Sequence, residues 1–488
     1  MRSWTRWWRG SAAPGDRLMG RRGPAVRDHA QSLGSRPIGP LLWWTCSQTT
    51  LSVGVYGIYA LTNAWFVARG VGETALAAVN LVAPILLILG AVSTTVGVGG
   101  ASVVSRSLGA GRPDQAARAA GNAFVVFWLV ASSVTVAGLL ALDPLLAVLG
   151  GSGPTSAYAR PYAAVIIAGS IFSTGFSALV RAEGRLRFST MLWVLPVLAQ
   201  IVLDPLLIFV CGLGVTGAAL GTVGGQAVSA GMALWFFFVQ RERPYRIRPA
   251  DLRPHPATIA AVLAVGAPSF LAGFGATLLA ALINTTLAAT GAVALTAYAV
   301  CARVQTFVFT PQIGITQGIQ PIVGFNAGRG LTGRVQRTLT LALRATVLYG
   351  ATTAALAALL ARPLTGLFVS DPATTAVTVD AMRVIAIAFV FAGVPPLISA
   401  YFQSLGRAAP SYLISIGTLV IIKAPLVLAL GTRGPSGLWL SLPIGEAISA
   451  LAAAGLLWRF GRPRTRPASG ARPGQPPWCR ISARARAR

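Results

Sequence analysis

The chain contains 488 residues, of which 54% are hydrophobic and only 11% are charged, and its mean hydropathy is +0.67. This composition excludes a large soluble protein and predicts an all-α polytopic membrane protein. The net charge of +28 comes mainly from arginines in the two tails and the short loops. Nucleic-acid binding is not predicted, because basic residues beside membrane spans usually set topology and contact anionic lipid.

Apolar runs of membrane-spanning length recur along the chain and predict twelve transmembrane helices. The first six runs cover residues 39–68, 74–100, 118–148, 161–181, 188–211 and 214–240. The second six cover residues 257–288, 292–323, 336–366, 379–403, 410–431 and 436–458. The four cysteines are scattered without a CxxC or another metal-binding spacing, so neither a disulfide framework nor a metal centre is predicted.

The connections between these runs alternate in charge, with fifteen arginines in one set of loops and four in the other. The positive-inside rule therefore places the basic loops and both termini in the cytoplasm of a cell whose plasma or inner membrane holds the protein. Both tails are rich in Arg, Pro and Gly, so we expect them to be disordered. The predicted domains are a basic N-terminal tail (1–38), an N-terminal six-helix bundle (39–240), a cytoplasmic linker loop (241–256), a C-terminal six-helix bundle (257–460) and an Arg/Pro-rich C-terminal tail (461–488).

Four motifs of the first half return in the same order in the second half, at offsets of 221, 217, 222 and 220 residues. The pairs are ALTN (60–63) with ALIN (281–284), GAGR (109–112) with NAGR (326–329), SALVRAEGR (177–185) with SAYFQSLGR (399–407), and GQAVSA (225–230) with GEAISA (445–450). Six spans in each half give both copies the same orientation. We therefore predict two six-helix bundles related by a pseudo-two-fold axis along the membrane normal, with a cavity between them. Asn63 and Asn284 should then occupy equivalent places, as should Gln226 and Glu446.

One carboxylate stands inside an apolar run, in the segment QIVLDPLLIF (200–209). An ionised Asp at the centre of a membrane helix costs about 2.5–3.5 kcal/mol even on translocon-insertion scales, so Asp204 calls for a reason. Two readings remain open for it: a functional carboxylate, or a cap at a helix kink before Pro205.

Several strings resemble the multidrug and toxic compound extrusion (MATE) family, in its bacterial branch, within the multidrug/oligosaccharidyl-lipid/polysaccharide exporter superfamily. They are GVGGASVVSRSLGAGR (97–112), LDPLLIF (203–209), GLGVTGAAL (212–220) and QGIQPIVGFNAGRG (317–330). Together with the repeated layout, the resemblance covers residues 40–458. It implies a transporter rather than an enzyme, exporting amphipathic and often cationic compounds in exchange for H⁺ or Na⁺.

The resemblance also implies a cation site in the N-terminal bundle. Many family members build it from an Asp in span one, an Asn and an Asp in span five and a Thr in span six. The corresponding residues of this chain are Asn63, Gln200, Asp204 and Thr222. Because only one of these side chains is anionic, they would form a weak cage for Na⁺, whereas proton coupling through Asp204 needs only one titratable group. From their distance to the helix ends, Asn63, Asp204 and Thr222 should lie roughly 8–12 Å below the outer surface and could form one cluster.

In the C-terminal bundle, Lys423 and Glu446 are predicted at similar depth and could form an intramembrane ion pair. That pair could be purely structural, or it could take part in coupling or in substrate binding. Further candidates for the cavity lining are Gln226, Asn284, Gln317 and Gln320. Contacts between small and polar residues of neighbouring helices would explain Gln317 and Gln320 equally well.

The leading functional prediction is a monomeric secondary active exporter of small amphipathic or cationic compounds. H⁺ or Na⁺ would serve as the coupling ion, membrane lipid as the surroundings, and no other cofactor would be needed. The alternative is a flippase or exporter of a lipid-linked or polysaccharide precursor. That substrate would need a deep cationic cavity, for which Arg303, Arg344, Arg383 and Lys423 are the candidates.

Overall fold

A computed structural model describes residues 29–150, 153–172 and 175–461. Within these ranges the chain is helical, without β-strands, and twelve helices are long and apolar enough to cross a membrane. These spans 1–12 are Ile38–Gly70, Glu73–Gly109, Pro113–Leu140, Gly153–Ala182, Leu186–Val210, Gly214–Val239, Pro256–Ala288, Ala292–Gly328, Thr332–Leu359, Pro372–Ser404, Ala408–Gly431 and Pro435–Phe460. The predicted all-α fold with twelve spans is confirmed.

The repeat is visible in the glycines that end or begin spans with a left-handed backbone, a conformation that side chains with a Cβ rarely adopt. They pair between the halves as Gly72 with Gly291 (φ 117° and 123°), Gly111 with Gly330 (68° and 78°), Gly184 with Gly406 (78° and 72°), and Gly214 with Gly434 (54° and 81°). The separations are 219, 219, 222 and 220 residues. Near the first two turns, the sequence motifs predicted offsets of 221 and 217 residues, and each differs by two from the structural offset of 219. The turn glycines, rather than the matching motif residues beside them, set the register of the repeat.

Spans 4 and 10 break at equivalent places. Span 4 changes to a 3₁₀ turn at Gly169–Phe172, and span 10 is interrupted around Phe389–Ala392. Side chains of neighbouring spans bond the backbone at each break: Thr135 Oγ1 donates to the Ile167 carbonyl at 3.1 Å, and Gln312 Nε2 donates to the Phe389 carbonyl at 3.1 Å. Irregular backbone at membrane depth is tolerated when it is buried and bonded in this way.

The two halves pack against each other on one side of the molecule, which we call the basic side because it carries the arginine-rich loops at 110–112, 183–185, 240–255, 329–331 and 405–407. Span 1 lies along span 8, and span 2 lies along span 7. A Cβ at Gly109 would overlap the Phe325 carbonyl, and a Cβ at Gly328 would overlap the Arg106 carbonyl. These two contacts are mirrored at the same 219-residue separation, as a pseudo-two-fold axis requires.

The N-terminal boundary differs from the prediction. Residues His29–Ser35, assigned above to the disordered tail 1–38, form a helix whose Leu33 is buried against the other half. Asn326 Nδ2 donates to the Leu33 carbonyl at 2.9 Å, and Arg334 donates to the Arg36 carbonyl at 2.7 Å. These bonds and the apolar contact order the segment. The rest of the predicted tails, 1–28 and 462–488, lies outside the described residues.

Candidate functional site

The local sequence of spans 5 and 6 brings their backbones together around Asp204. Span 6 carries glycines at four-residue spacing, Gly217, Gly221 and Gly225, each of which lies against span 5 too closely for a Cβ. Small residues at this spacing allow membrane helices to approach closely. Pro205, which has no backbone N–H to donate, is followed by a π-helical turn at Leu206–Val210. Such turns often lie at functional sites.

The four residues implied by the resemblance form one buried cluster. Asn63 Nδ2 and Gln200 Nε2 each donate to Asp204 Oδ2 at 3.2 Å. Gln200 Nε2 also lies 3.2 Å from Thr222 Oγ1, and Thr222 donates to the Ala218 carbonyl at 3.1 Å. All four side chains are buried, and Asp204 is fully so. The structure thus brings Asn63, Gln200, Asp204 and Thr222 together from spans 1, 5 and 6.

Asp204 Oδ1 differs from Oδ2 in its surroundings. Among the described residues, it is buried beside Gly221 without a hydrogen-bond partner. The ion pairs found in the same ranges also leave Asp204 without a cationic side chain. The carboxyl therefore has one oxygen bound by two amide donors and one oxygen open to a proton or a small cation.

Two tyrosines extend the cluster beyond the residues that the sequence indicated. The Tyr59 hydroxyl lies 3.4 Å from Thr222 Oγ1, one helical turn from Asn63 on span 1. Tyr162 of span 4 is buried and lies close to the same threonine and to Tyr59. The two tyrosines add hydroxyl groups of spans 1 and 4 to the surroundings of Thr222.

An aromatic wall adjoins the cluster. The rings of Tyr56 and Tyr59 lie 5.3 Å apart, and Tyr56 meets Trp193 edge-on at 6.0 Å. Tyr56 is half exposed and stands two helical turns after Thr49, whose hydroxyl donates to the Gly314 carbonyl of the other half. Residues seven apart share a helix face. Tyr56 therefore lies on the same face of span 1 as Thr49.

The C-terminal half contains the expected ion pair. Lys423 Nζ lies 2.5 Å from Glu446 Oε1, and the two side chains are 21% and 16% exposed. Glu446 Oε2 and the Ser449 hydroxyl are buried, and neither has a hydrogen-bond partner among the described residues. The predicted contact between Lys423 and Glu446 is present.

The remaining candidates divide. Gln226 and Glu446 each follow the turn glycine of their half by twelve residues, so their predicted equivalence holds in register. The predicted equivalence of Asn63 and Asn284 is wrong. Asn63 is buried and Asn284 is exposed, because the 219-residue register puts Leu282 opposite Asn63.

Gln317 is half-buried on span 8. Gln320 lines a small cavity between the halves on the basic side rather than the space beside the cluster.

The arginines named for a cationic cavity do not converge. Arg303, Arg344 and Arg383 are all exposed, and the Arg303 guanidinium lies over the Phe368 ring at 5.6 Å. A buried arginine that the sequence did not single out, Arg181, lies instead near Gln320. The sequence feature that could have indicated Arg181 is the repeated motif, in which the Arg of SALVRAEGR aligns with Gln403 of SAYFQSLGR.

Twelve apolar helices in two repeated halves, with an isolated carboxylate buried between membrane spans, define a multi-pass membrane transport protein. The MatE family matches residues 50–206 and 268–428, one segment in each half. The chain belongs to the MatE family, as its resemblance to MATE transporters indicated, and the members of this family are transport proteins rather than enzymes.

Curated relatives match most of the chain. It is 24% identical over 439 residues to an FAD transporter of Shewanella oneidensis, covering 88% of this chain and 96% of the relative. It is 26% identical over 413 residues to the multidrug export protein MepA of Staphylococcus aureus, covering 83% of this chain and 89% of MepA.

Solved structures share the fold. The outward-facing structure of a multidrug resistance MATE family transporter superposes with a TM-score of 0.82 at 23% identity, covering 90% of this chain and 99% of that one. A MOP superfamily transporter from Pyrococcus furiosus, described with a binding pocket of reversed polarity, gives a TM-score of 0.82 at 22% identity and covers 90% of this chain and 99% of that one.

Proposed function

We propose that this protein is a secondary active exporter that exchanges small amphipathic compounds, often cationic, for protons by alternating access. In this proposal the basic side faces the cytoplasm and the Asp204 cluster lies toward the outer face of the plasma or inner membrane. Membership of the MatE family and the similarity to MepA multidrug export proteins support an export function. The similarity to an FAD transporter means that the substrates named for the relatives also include an anionic nucleotide.

The observation that carries the coupling proposal is Asp204 itself. It is fully buried, two amides bind one of its oxygens, and its other oxygen has no hydrogen-bond partner among the described residues. A proton arriving at Oδ1 would neutralise a charge that no described cationic side chain offsets. Such a change alters the electrostatic energy of the cluster, and hence the packing of spans 1, 5 and 6 around it.

The direction of the amides favours a proton over Na⁺ as the coupling ion. Asn63 and Gln200 point N–H donors, not carbonyl oxygens, at the carboxylate. A hard cation needs several oxygen ligands, so both amides would have to turn before Na⁺ could be held. A proton needs only the open carboxylate oxygen.

The contact between the halves supports the alternating-access part of the proposal. Hydrogen bonds that join them, such as Thr49 to the Gly314 carbonyl at 2.6 Å and Ser102 to the Gln403 carbonyl at 2.5 Å, lie toward the basic side. The aromatic wall at Tyr56 lies two helical turns beyond the contact of Thr49, on the same face of span 1. Each proton moving down 100 mV supplies about 2.3 kcal/mol. Since about 1.4 kcal/mol corresponds to a tenfold ratio, this could support a gradient of roughly fiftyfold.

The test is Asp204→Asn, which is nearly isosteric but cannot titrate. Purified protein in liposomes should bind a fluorescent cationic dye, yet it should lose dye transport driven by an imposed pH gradient. Asp143→Asn is the matched control, because Asp143 is an exposed carboxylate outside the spans and that variant should transport normally. Wild-type transport by Asp204→Asn under a pH gradient would show that Asp204 is only a helix cap.

A second variant addresses the choice of ion. Asn63→Asp places a second carboxylate within hydrogen-bonding distance of Asp204 and removes one amide donor. Two carboxylates make a better ligand set for a hard cation, so transport should become stimulated by Na⁺. An unchanged ion preference in a variant that still transports would contradict the role assigned to this cluster.

A further inference from the structure

A small cavity lies on the pseudo-two-fold axis, on the basic side, where the halves meet. Its volume is about 10 Å³, space for a single small guest. Spans 2, 4, 8 and 10 line it, and four pairs of its lining residues are related by the repeat: Ala101 with Gln320, Ser102 with Pro321, Arg181 with Gln403, and Ala182 with Ser404. Both halves therefore contribute to it only while they are closed on this side.

The repeat-related pair Arg181 and Gln403 breaks the symmetry of this cavity. Arg181 Nη1 donates to Ser189 Oγ at 3.4 Å, and the equivalent Gln403 Nε2 donates to Ser411 Oγ at 3.2 Å. The two side chains thus have the same kind of partner, but one is cationic and the other is neutral. The cavity is therefore lined by the positive charge of Arg181, and its repeat-related partner Gln403 supplies no negative charge.

Arg181 is buried, with 6% of the residue exposed. In the ranges that the structure describes, the ion pairs leave it without a carboxylate: the adjacent Glu183 is taken by Arg243. Arg106, whose Nε donates to the Ser102 carbonyl at 3.1 Å, adds a second cation to this region. A buried guanidinium has five N–H donors and a charge that is costly to leave uncompensated.

We propose that the axial cavity binds one monatomic anion of chloride size, held by the Arg181 guanidinium together with the amide of Gln320. Gln320 is suited to this because it lines the cavity from the opposite half. The anion bridges spans 4 and 8 only when the halves are closed on the basic side, so it stabilises that closed state. Opening of this side separates its ligands and releases it. This role rests on the alternating access proposed above, but the binding itself does not.

A native cysteine reports the closed contact. Cys46 Sγ lies 3.9 Å from the Ile315 carbonyl across the boundary between the halves, beside Gly318. With Cys211 and Cys479 replaced by serine, the rate at which a small thiol reagent modifies Cys46 measures opening on the basic side, and Cys301, buried within the C-terminal half, remains as an internal reference. No gradient and no substrate is needed, so failure here is distinguishable from failure of the transport proposal.

Chloride should slow the modification of Cys46 relative to gluconate at equal ionic strength. A ligand specific to one state reduces the competing state by the factor 1 + [L]/Kd, so chloride at ten times its Kd should slow the reaction about elevenfold. Sulfate, which is too large for the cavity, should not. Equal rates in chloride and gluconate, or equal protection by sulfate, would overturn the proposal.

Two variants and a control locate the effect. Arg181→Gln copies the residue of the other half and should abolish the difference between chloride and gluconate. Arg187→Gln removes an exposed arginine that stacks on Trp44 at 5.3 Å and should retain the difference. Gln403→Glu supplies an internal carboxylate opposite Arg181 and should give slow modification in gluconate as well. A chloride effect that persists unchanged in Arg181→Gln, or in Gln403→Glu, would contradict the site.

Discussion

The two halves of the molecule share one backbone plan but carry different charges. In the N-terminal half, Asp204 is surrounded by amides and hydroxyls and forms no ion pair with a described residue. In the C-terminal half, the equivalent region contains the ion pair of Lys423 and Glu446. A carboxylate outside any ion pair can gain a proton without breaking a salt bridge, whereas protonation of a paired carboxylate would leave its cationic partner uncompensated. This difference supports the proposal that coupling takes place at Asp204 in the N-terminal half.

The basic side shows the reverse distribution. Glu183 forms a buried ion pair with Arg243, while the repeat position in the C-terminal half is Leu405, which packs on an apolar cluster. Arg243 also donates to the Phe237 carbonyl at 2.8 Å, and its guanidinium lies 4.4 Å from the Phe237 ring centre. The same turn of the fold is therefore held by charge in one half and by hydrophobic contact in the other.

The largest expected effect comes from breaking this buried pair. Glu183→Gln leaves the Arg243 guanidinium buried without a counter-charge, which typically costs about 3–5 kcal/mol. We expect a marked drop in the thermal unfolding midpoint of the detergent-solubilised protein. Glu242→Gln, the same change at an exposed position of the adjoining loop, should leave the midpoint nearly unaltered.

A double substitution sharpens the same comparison. Glu183→Leu with Arg243→Met gives the N-terminal half an apolar contact of the kind that Leu405 makes in the other half. Most of the stability lost in Glu183→Gln should return, because no charge is left stranded. A double variant as unstable as the single one would mean that the ion pair has no apolar equivalent.

The glycine contacts test the symmetry of the halves. Gly109→Ala and Gly328→Ala each place a Cβ against a carbonyl of the other half, and overpacking of this kind costs about 1–3 kcal/mol. The two variants should speed Cys46 modification by similar factors, because they strain the closed state from opposite sides. The control is Gly90→Ala. Gly90 lies on span 2, as Gly109 does, but a Cβ added there would meet open space. Strongly unequal effects of the first two changes would break the pseudo-symmetry of the interface.

The Lys423–Glu446 pair should matter less for stability, since both side chains are partly exposed. Removing one partner strands the other, and we expect Lys423→Met or Glu446→Gln to cost about 1–2 kcal/mol after allowance for solvent screening. The double variant should unfold at a higher temperature than the worse single variant. If the double variant instead loses gradient-driven transport while staying folded, the C-terminal half also takes part in coupling.

The smallest effect is expected at the exposed pair of Asp143 and Arg160. The hydrogen bond and charge of Arg160 lower the pKa of Asp143, so any stabilisation is present above the ordinary carboxyl pKa and is lost as the pH falls through the lowered one. Both side chains are largely exposed. Asp143→Asn should therefore leave the unfolding midpoint at neutral pH unchanged. Any difference from wild type should begin to shrink as the pH falls below the unperturbed carboxyl pKa of about 3.9 and disappear below the lowered pKa. A clear loss at neutral pH would show that this surface pair is more than a solvated contact.

Much of the fold could be read from local patterns. Runs of apolar residues long enough to cross a membrane determined the twelve spans, since a single segment can satisfy its own backbone hydrogen bonds in lipid only as a helix. Motifs that recur at nearly constant offset determined the two halves. Asp204 stood out because an acid within an apolar run needs a reason to be there, and the resemblance brought Asn63, Gln200 and Thr222 to the same site.

Only the tertiary structure decided which way each side chain faces. Asn63 and Asn284 match in letters, yet one is buried and the other exposed, because the turn glycines shift the register by two residues and so rotate the position about the helix. Gln320 faces the axial cavity, and Arg181 lies buried beside it. Sequence determined the depth of a residue along its helix, because the rise per residue is constant. Its rotation about that helix depends on breaks, π-helical turns and contacts with distant spans, which no local pattern encodes.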